Sequence, residues 1–116
     1  MAVYGAPSAS KDAMVVSRRQ DNSNVIRWRQ RDVDTGVVTP VDLSGWSVRV
    51  TLYSPQGDVW LEYPAAKDTD GYLSIGPTKA QLSGPVWAGR TVGSYAVTAS
   101  KGGLTTCLVD AELRII

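Results

Sequence analysis

A chain of 116 residues has room for one domain with its own core and too few residues for two. Hydrophobic residues at 43% and charged residues at 20% are ordinary for a globular protein, which excludes the compositions of disordered and membrane-embedded chains. Twelve basic against eleven acidic side chains leave a net charge of +1, so bulk electrostatics points to neither nucleic acid nor a membrane surface.

The single cysteine, Cys107, rules out an internal disulfide framework and suits folding in a reducing compartment. In a strand pattern it reads as a small core residue. There is no histidine, which removes Ser-His-Asp and Cys-His catalysis and, with one cysteine, any ligand set for structural zinc. The first residues lack a basic segment followed by an apolar run, and no apolar stretch approaches the roughly 20 residues of a membrane helix. The expectation is a soluble protein without a signal peptide.

In chain order, residues 1–12 are rich in Ala, Ser, Gly and Pro and read as an extended N-terminal arm, with 13–116 as a single domain. Two readings of the arm stay open: a frayed terminus, or a segment that packs along an exposed sheet edge of a neighbouring subunit. Residues 13–19 predict a first strand, with Met14, Val15 and Val16 ahead of the basic pair Arg18 and Arg19. Residues 24–31 alternate, with Ile26 and Trp28 on one face and Arg27, Arg29 and Arg31 on the other. Side chains two apart on a strand share a side, so three guanidinium groups stand in a row facing solvent.

The clearest pattern follows the turn-prone Asp42-Leu43-Ser44-Gly45. Trp46, Val48, Val50 and Leu52 alternate with Ser47, Arg49, Thr51 and Tyr53, which is the period of a half-buried strand. Ser54-Pro55-Gln56-Gly57 then turns the chain, and a second strand runs over 58–63. Its register stays open: Val59, Leu61 and Tyr63 face inward and Trp60 and Glu62 outward unless a one-residue bulge at Gly57 reverses the choice. A short strand over 71–75 sets Leu73 and Ile75 inward. Residues 78–83 predict one helical turn, with Thr78 as N-cap and Gln81 at the reciprocal capping position. Residues 92–100 alternate with Tyr95, Val97 and Ala99 on one side, Lys101-Gly102-Gly103 turns, and the last strand sets Cys107, Val109, Ala111, Leu113 and Ile115 on one face. About seven short strands, closely spaced turn signals and one helical turn predict an all-β fold, an antiparallel immunoglobulin-like β-sandwich.

No motif carries catalysis. Asp68-Thr69-Asp70-Gly71 looks like part of a calcium loop, but Ala66 and Pro77 stand where ligands are required, and a plain turn explains it. Neither a catalytic site, a metal site nor a cofactor is expected. The candidate partner contacts are Arg18, Arg19, Arg27, Arg29 and Arg31, with Trp60 and Trp87 as tryptophans that either pack in the core or mark a contact surface. The arginines either meet an acidic or phosphorylated partner or form a solvated face neutralised by Asp21, Asp32 and Asp34. No aromatic platform is expected on their face, which argues against nucleic acid.

The succession of Val41-Asp42-Leu43-Ser44-Gly45-Trp46, an alternating strand, a Pro-x-Gly turn, Gly71-x-Leu73-x-Ile75, Thr78-Lys79-Ala80-Gln81-Leu82 before Trp87, and Gly93-x-Tyr95-x-Val97 before a closing hairpin resembles the small β-sandwich modules of tailed-phage virions. It is most similar to those of minor tail and tail-fibre proteins of phages infecting actinobacteria, and more distantly to N-terminal domains of baseplate upper proteins. The resemblance covers residues 15–116, and the Arg-rich second strand departs from it. It implies a non-enzymatic virion protein, present in several copies and held to other tail, fibre, baseplate or capsid proteins, located in the host cytoplasm during assembly and then in the particle. Within structural proteins the alternative is a capsid decoration or head-to-tail connector subunit. From another class, it is a carbohydrate- or receptor-binding module using Trp60, Trp87 and Tyr53.

Overall fold

The computed structural model describes residues 11–116, so the arm expected over residues 1–12 lies outside it except for Lys11 and Asp12. The described residues form an all-β fold. Its strands are β1 (Met14–Val16), β2 (Val25–Arg27), β3 (Arg29–Arg31), β4 (Val38–Pro40), β5 (Ser47–Tyr53), β6 (Val59–Pro64), β7 (Ala66–Lys67), β8 (Tyr72–Ser74), β9 (Val92–Lys101) and β10 (Leu104–Ile115). One 3-10 turn, Pro85–Trp87, precedes β9.

The main sheet has the order β1-β10-β9-β5-β6. Its pairings are antiparallel except that β1 runs parallel to β10, Met14 opposite Leu113 and Val16 opposite Ile115. The alternation read from the sequence holds on β5 and β9: Val48, Val50, Leu52, Tyr95, Val97 and Ala99 are all buried. The first strand is shorter than the expected 13–19. After Val16 the side chain of Asn22 captures the chain, accepting from Ser17 N at 2.8 Å and donating to Ser17 O at 3.0 Å and Pro77 O at 2.9 Å.

Two one-residue bulges change which side chains reach the core. On β6 Leu61 lies opposite Leu52 and Val59 opposite Tyr53, so Trp60 is the extra residue. Leu61 and Tyr63 face inward as in the first register, and beyond the bulge Trp60 turns inward while Val59 turns out. On β10 Cys107 lies opposite Thr98 and Val109 opposite Val97, making Leu108 the extra residue. Leu108 takes the buried place expected of Cys107, and Cys107 is exposed. A bulge inserts two consecutive residues against one and reverses the alternation beyond it.

The single turn expected at 78–83 is present: Leu82 N donates to Thr78 O at 3.3 Å, and the reciprocal cap closes it, Thr78 N donating to Gln81 Oε1 at 2.9 Å and Gln81 N to Thr78 Oγ1 at 3.1 Å. A separate 3-10 turn follows at Pro85–Trp87, where proline suits a first helical position. The Asp42–Trp46 segment is also a turn, in which Ser44 N donates to Asp42 Oδ1 at 2.9 Å and Trp46 N donates to Leu43 O at 3.0 Å. The Ser44 hydrogen bond holds the Asp42 carboxyl below its ordinary value. Leu43 in the middle of the turn is fully buried.

Two smaller sheets complete the fold, β2-β8-β7 and the ribbon β3-β4. Tyr63 on β6 ties the main sheet to the first of them, its phenol donating to Ile75 O at 2.5 Å in a buried setting. β2 and β3 were expected as one strand, and they are one extended run that changes partner at Trp28. Trp28 N donates to Gly71 O at 2.8 Å beside β8, and Trp28 O accepts from Val41 N at 3.1 Å beside β4. Gly71 has φ of 83°, and a Cβ there would collide with Trp28 O.

Gly71→Ala is expected to lower stability by about 3 kcal/mol, from a strained φ plus a backbone collision. Gly57→Ala, also at positive φ but with open space around it, is expected to cost only about 1 kcal/mol. Urea midpoints of the two variants check the difference. Burial raises the pKa of Tyr63 and of Tyr95. Stability is therefore expected to be level up to about pH 10 and to fall above it, because unfolded tyrosine ionises there while the folded groups hold their protons. Tyr63→Phe should cost about 1–2 kcal/mol at neutral pH and flatten that alkaline loss, as read by denaturation at a series of pH values.

Candidate functional site

A row of like charge outside the ion pairs of the described residues lies on β2 and β3. Arg27, Arg29 and Arg31 all project from the same side of the extended run and are exposed. With Val38 of β4 they line an open depression of about 530 Å³. Two of the three acids expected to neutralise a basic face have carboxylate oxygens on main-chain amides. Asp32 Oδ1 accepts from Asp34 N at 2.9 Å and Thr35 N at 3.3 Å, and Asp21 Oδ1 accepts from Lys79 N at 2.8 Å. The ion pairs of the described residues are Lys11–Asp110, Arg49–Glu62 and Arg114–Glu112, and none involves this row.

The row has an aromatic member that the sequence reading missed. Tyr72 on β8 lies opposite Arg27, 42% exposed, with the Arg27 guanidinium carbon 4.6 Å from its ring centre. Arg27 Nε also donates to Asp70 O at 3.0 Å, which fixes the guanidinium over the ring. The inward assignment of Leu73 and Ile75 already implied that Tyr72 points out. What the sequence does not carry is the pairing of β2 with β8 that sets Tyr72 beside Arg27. Exposed Val38 adds apolar surface at the ribbon, and Val33 and Val37 in the loop before it are exposed too.

The other candidate contacts are placed elsewhere. Arg18 is half-buried, its main-chain N donating to Ile116 O at 3.1 Å and its Nη2 to Gly84 O at 3.4 Å. It anchors the end of β1 and does not extend the row. Arg19 is exposed, with its N–H on Ser17 Oγ at 3.2 Å.

Trp60 and Trp87 form an edge-to-face pair with ring centres 6.1 Å apart. Trp87 is only 4% exposed, so it belongs to the core. The Arg90 guanidinium lies over both rings, 5.0 Å from Trp60 and 4.6 Å from Trp87. The Trp60 ring also fills the space beside Gly93, where a Cβ would stand 2.8 Å from Trp60 Cζ3. Of the pair, only the half-buried Trp60 presents surface to solvent. Trp28 and Trp46 form a second edge-to-face pair at 4.8 Å, Trp28 buried as expected and Trp46 half-buried at the mouth of β5.

Asp68-Thr69-Asp70-Gly71 is a turn whose Asp68 Oδ1 accepts from Asp70 N at 2.9 Å and Tyr72 N at 3.0 Å. Among the described residues no three of His, Cys, Asp or Glu converge as metal ligands, and no helix is long and apolar enough to cross a membrane.

Arg90→Ala should destabilise the fold by about 1–2 kcal/mol by removing a guanidinium stacked on two indoles, with Arg90→Lys intermediate. Thermal melting together with the tryptophan emission spectrum checks this, a red shift marking exposure of Trp60. No protein-family model matches the chain and no curated protein matches it, so the functional argument rests on the geometry of the basic row.

Proposed function

We propose that this chain is a non-enzymatic structural subunit of a tailed-phage virion, of the minor tail, tail-fibre or baseplate kind, acting through contacts with other virion proteins. The observation that carries the protein-contact part is the exposed row Arg27, Arg29 and Arg31 beside Tyr72 and Val38, without ion-pair partners among the described residues. Arginine and aromatic residues are the types enriched at protein interfaces, and arginine suits bidentate contacts to carboxylates. The virion part is supported by the resemblance that centres on Asp42-Leu43-Ser44-Gly45-Trp46. An immunoglobulin-like sandwich is part of the same reading. The main sheet forms one layer and β2-β8-β7 with the β3-β4 ribbon forms the other, and the Tyr63–Ile75 hydrogen bond supports that arrangement.

The basic row also suits a decoration or connector subunit set against acidic capsid loops, and copy number separates the two. Mass spectrometry of purified particles should find the chain at a fixed copy number, a few for a tail-tip component and hundreds for a decoration protein. Arg29→Glu with Arg31→Glu should reduce incorporation by about tenfold or more. Both side chains are exposed, so the melting temperature should stay within about 2 °C of the parent. Absence from particles, or undiminished incorporation of the double variant, would refute the reading.

A further inference from the structure

Among the described residues the arginine row lies on an unpaired sheet edge, with main-chain groups as well as side chains available. The hydrogen bonds that hold the β2–β3 run all use even-numbered residues. Asn24 O accepts from Ile75 N at 2.9 Å, Trp28 uses both its groups on Gly71 and Val41, and Asp32 N donates to Val37 O at 2.9 Å. The registers Ile26 opposite Leu73 and Gln30 opposite Thr39 fill the places between. In an antiparallel ladder hydrogen-bonded and non-hydrogen-bonded pairs alternate. The odd-numbered residues Val25, Arg27, Arg29 and Arg31 therefore turn their N–H and C=O groups away from β8 and β4. Pro40 agrees with this phase: it lies opposite Arg29, at a place in the ladder where its missing N–H is not required. β8 and β4 both lie on one side of the run. Along its other side no strand pairs with it among the described residues.

We infer that this edge is a docking site for an extended acidic protein segment, which adds as a strand along Val25, Arg27, Arg29 and Arg31 and sets carboxylates opposite the arginines. The inference rests on the reading of the chain as a protein-binding module. Charge complementarity selects the occupant. Alternate residues of a strand lie about 6.6 Å apart on one face, so a segment with Asp or Glu at every second position repeats in step with the backbone positions of the arginines. Opposite charges directly across a strand pair stabilise it, and main-chain hydrogen bonds supply the sequence-independent part of the affinity. Tyr72 and Val38, directly opposite Arg27 and Arg31, share the arginine face on the strands behind the edge.

The probe is a short synthetic peptide alternating Asp with Thr, bound to the full chain and followed by fluorescence anisotropy, with amide hydrogen exchange on the same complex. The peptide should bind. N-methylating its alternate amides on the docking edge, or introducing Arg29→Gln with Arg31→Gln in the protein, should each weaken it by about tenfold or more. The amides of Arg27, Arg29 and Arg31 should exchange at least about tenfold more slowly in the complex. Unchanged affinity of the N-methylated peptide, or unprotected amides, would overturn the proposal. Heparin or a single-stranded oligonucleotide binding more tightly, with the same arginine dependence and no amide protection, would also overturn it and assign the row to a polyanion. So would failure of the peptide to bind together with self-association of the Arg27→Thr, Arg29→Thr, Arg31→Thr variant, since the arginines would then be guarding the edge against pairing. The peptide result stands whether or not the chain is found in particles, so this proposal and the virion reading fail separately.

Discussion

Trp28 is the point on which the basic side of the molecule depends. Its N–H closes the ladder with β8 and its C=O closes the ladder with β4, so one residue joins two sheets through the two polar groups of its own backbone. Either group left unpaired in this buried place would cost about 1–3 kcal/mol. The junction works only because Gly71 has no side chain, since a Cβ there would occupy the position of the Trp28 carbonyl. The indole is buried against Trp46 at 4.8 Å, which holds the residue while the backbone changes partner. Because β8 and β4 approach from the same side, the run from Val25 to Arg31 keeps one phase through the change. Arg27 therefore stays in line with Arg29 and Arg31. A junction that rotated the chain by one residue would have placed Arg27 on the opposite face.

The alternation in the sequence is reliable where a strand pairs without interruption and fails where a bulge intervenes. The inward residues predicted within β5 and β9 are all buried, because the two strands pair residue for residue in the middle of the main sheet, and Thr51 on the other face of β5 is buried as well. β6 and β10 carry the bulges, and the residues misassigned or left open are those beside the bulged positions: Trp60 and Val59 on one, Cys107 and Leu108 on the other. In both cases the bulge brings two consecutive apolar side chains to the core, Trp60 with Leu61 and Leu108 with Val109. Nothing in a run such as Thr-Cys-Leu-Val marks which residue will be the extra one. The partner strand decides that, and for β10 it lies across a hairpin whose register is settled jointly with β5.

The arginine row was legible for the same reason that β5 was, since it needs only the period of a strand. Its environment was not. Asp32 turns to the amides of Asp34 and Thr35 in its own turn, which is local chemistry, while Asp21 bonds the amide of the distant Lys79, which is tertiary information. Tyr72 beside Arg27 and Arg90 across Trp60 and Trp87 are likewise pairings between distant parts of the chain. The Asp42-Leu43-Ser44-Gly45-Trp46 element has a local structural explanation as well: an Asp-stabilised turn, a buried leucine and a tryptophan stacked on Trp28 lead the chain into β5. These residues are accounted for by the fold, so the functional weight falls on the departure from the resemblance, the arginines themselves.

A row of like charges on an exposed strand has an energetic consequence that favours an open edge over a self-paired one. At a spacing of about 6.6 Å in a water-like dielectric, each neighbouring pair of guanidinium groups repels by about 0.6 kcal/mol. That cost is small enough for a stable domain to carry. It would rise sharply if a second copy of the same edge docked against the first, because each arginine would then face others across a strand pair with less water between them. The same row therefore discourages pairing with itself and rewards pairing with carboxylates. The sign of the charge decides between these outcomes, and the main-chain groups of Arg27, Arg29 and Arg31, unpaired among the described residues, are what make strand addition the geometry through which that sign is read.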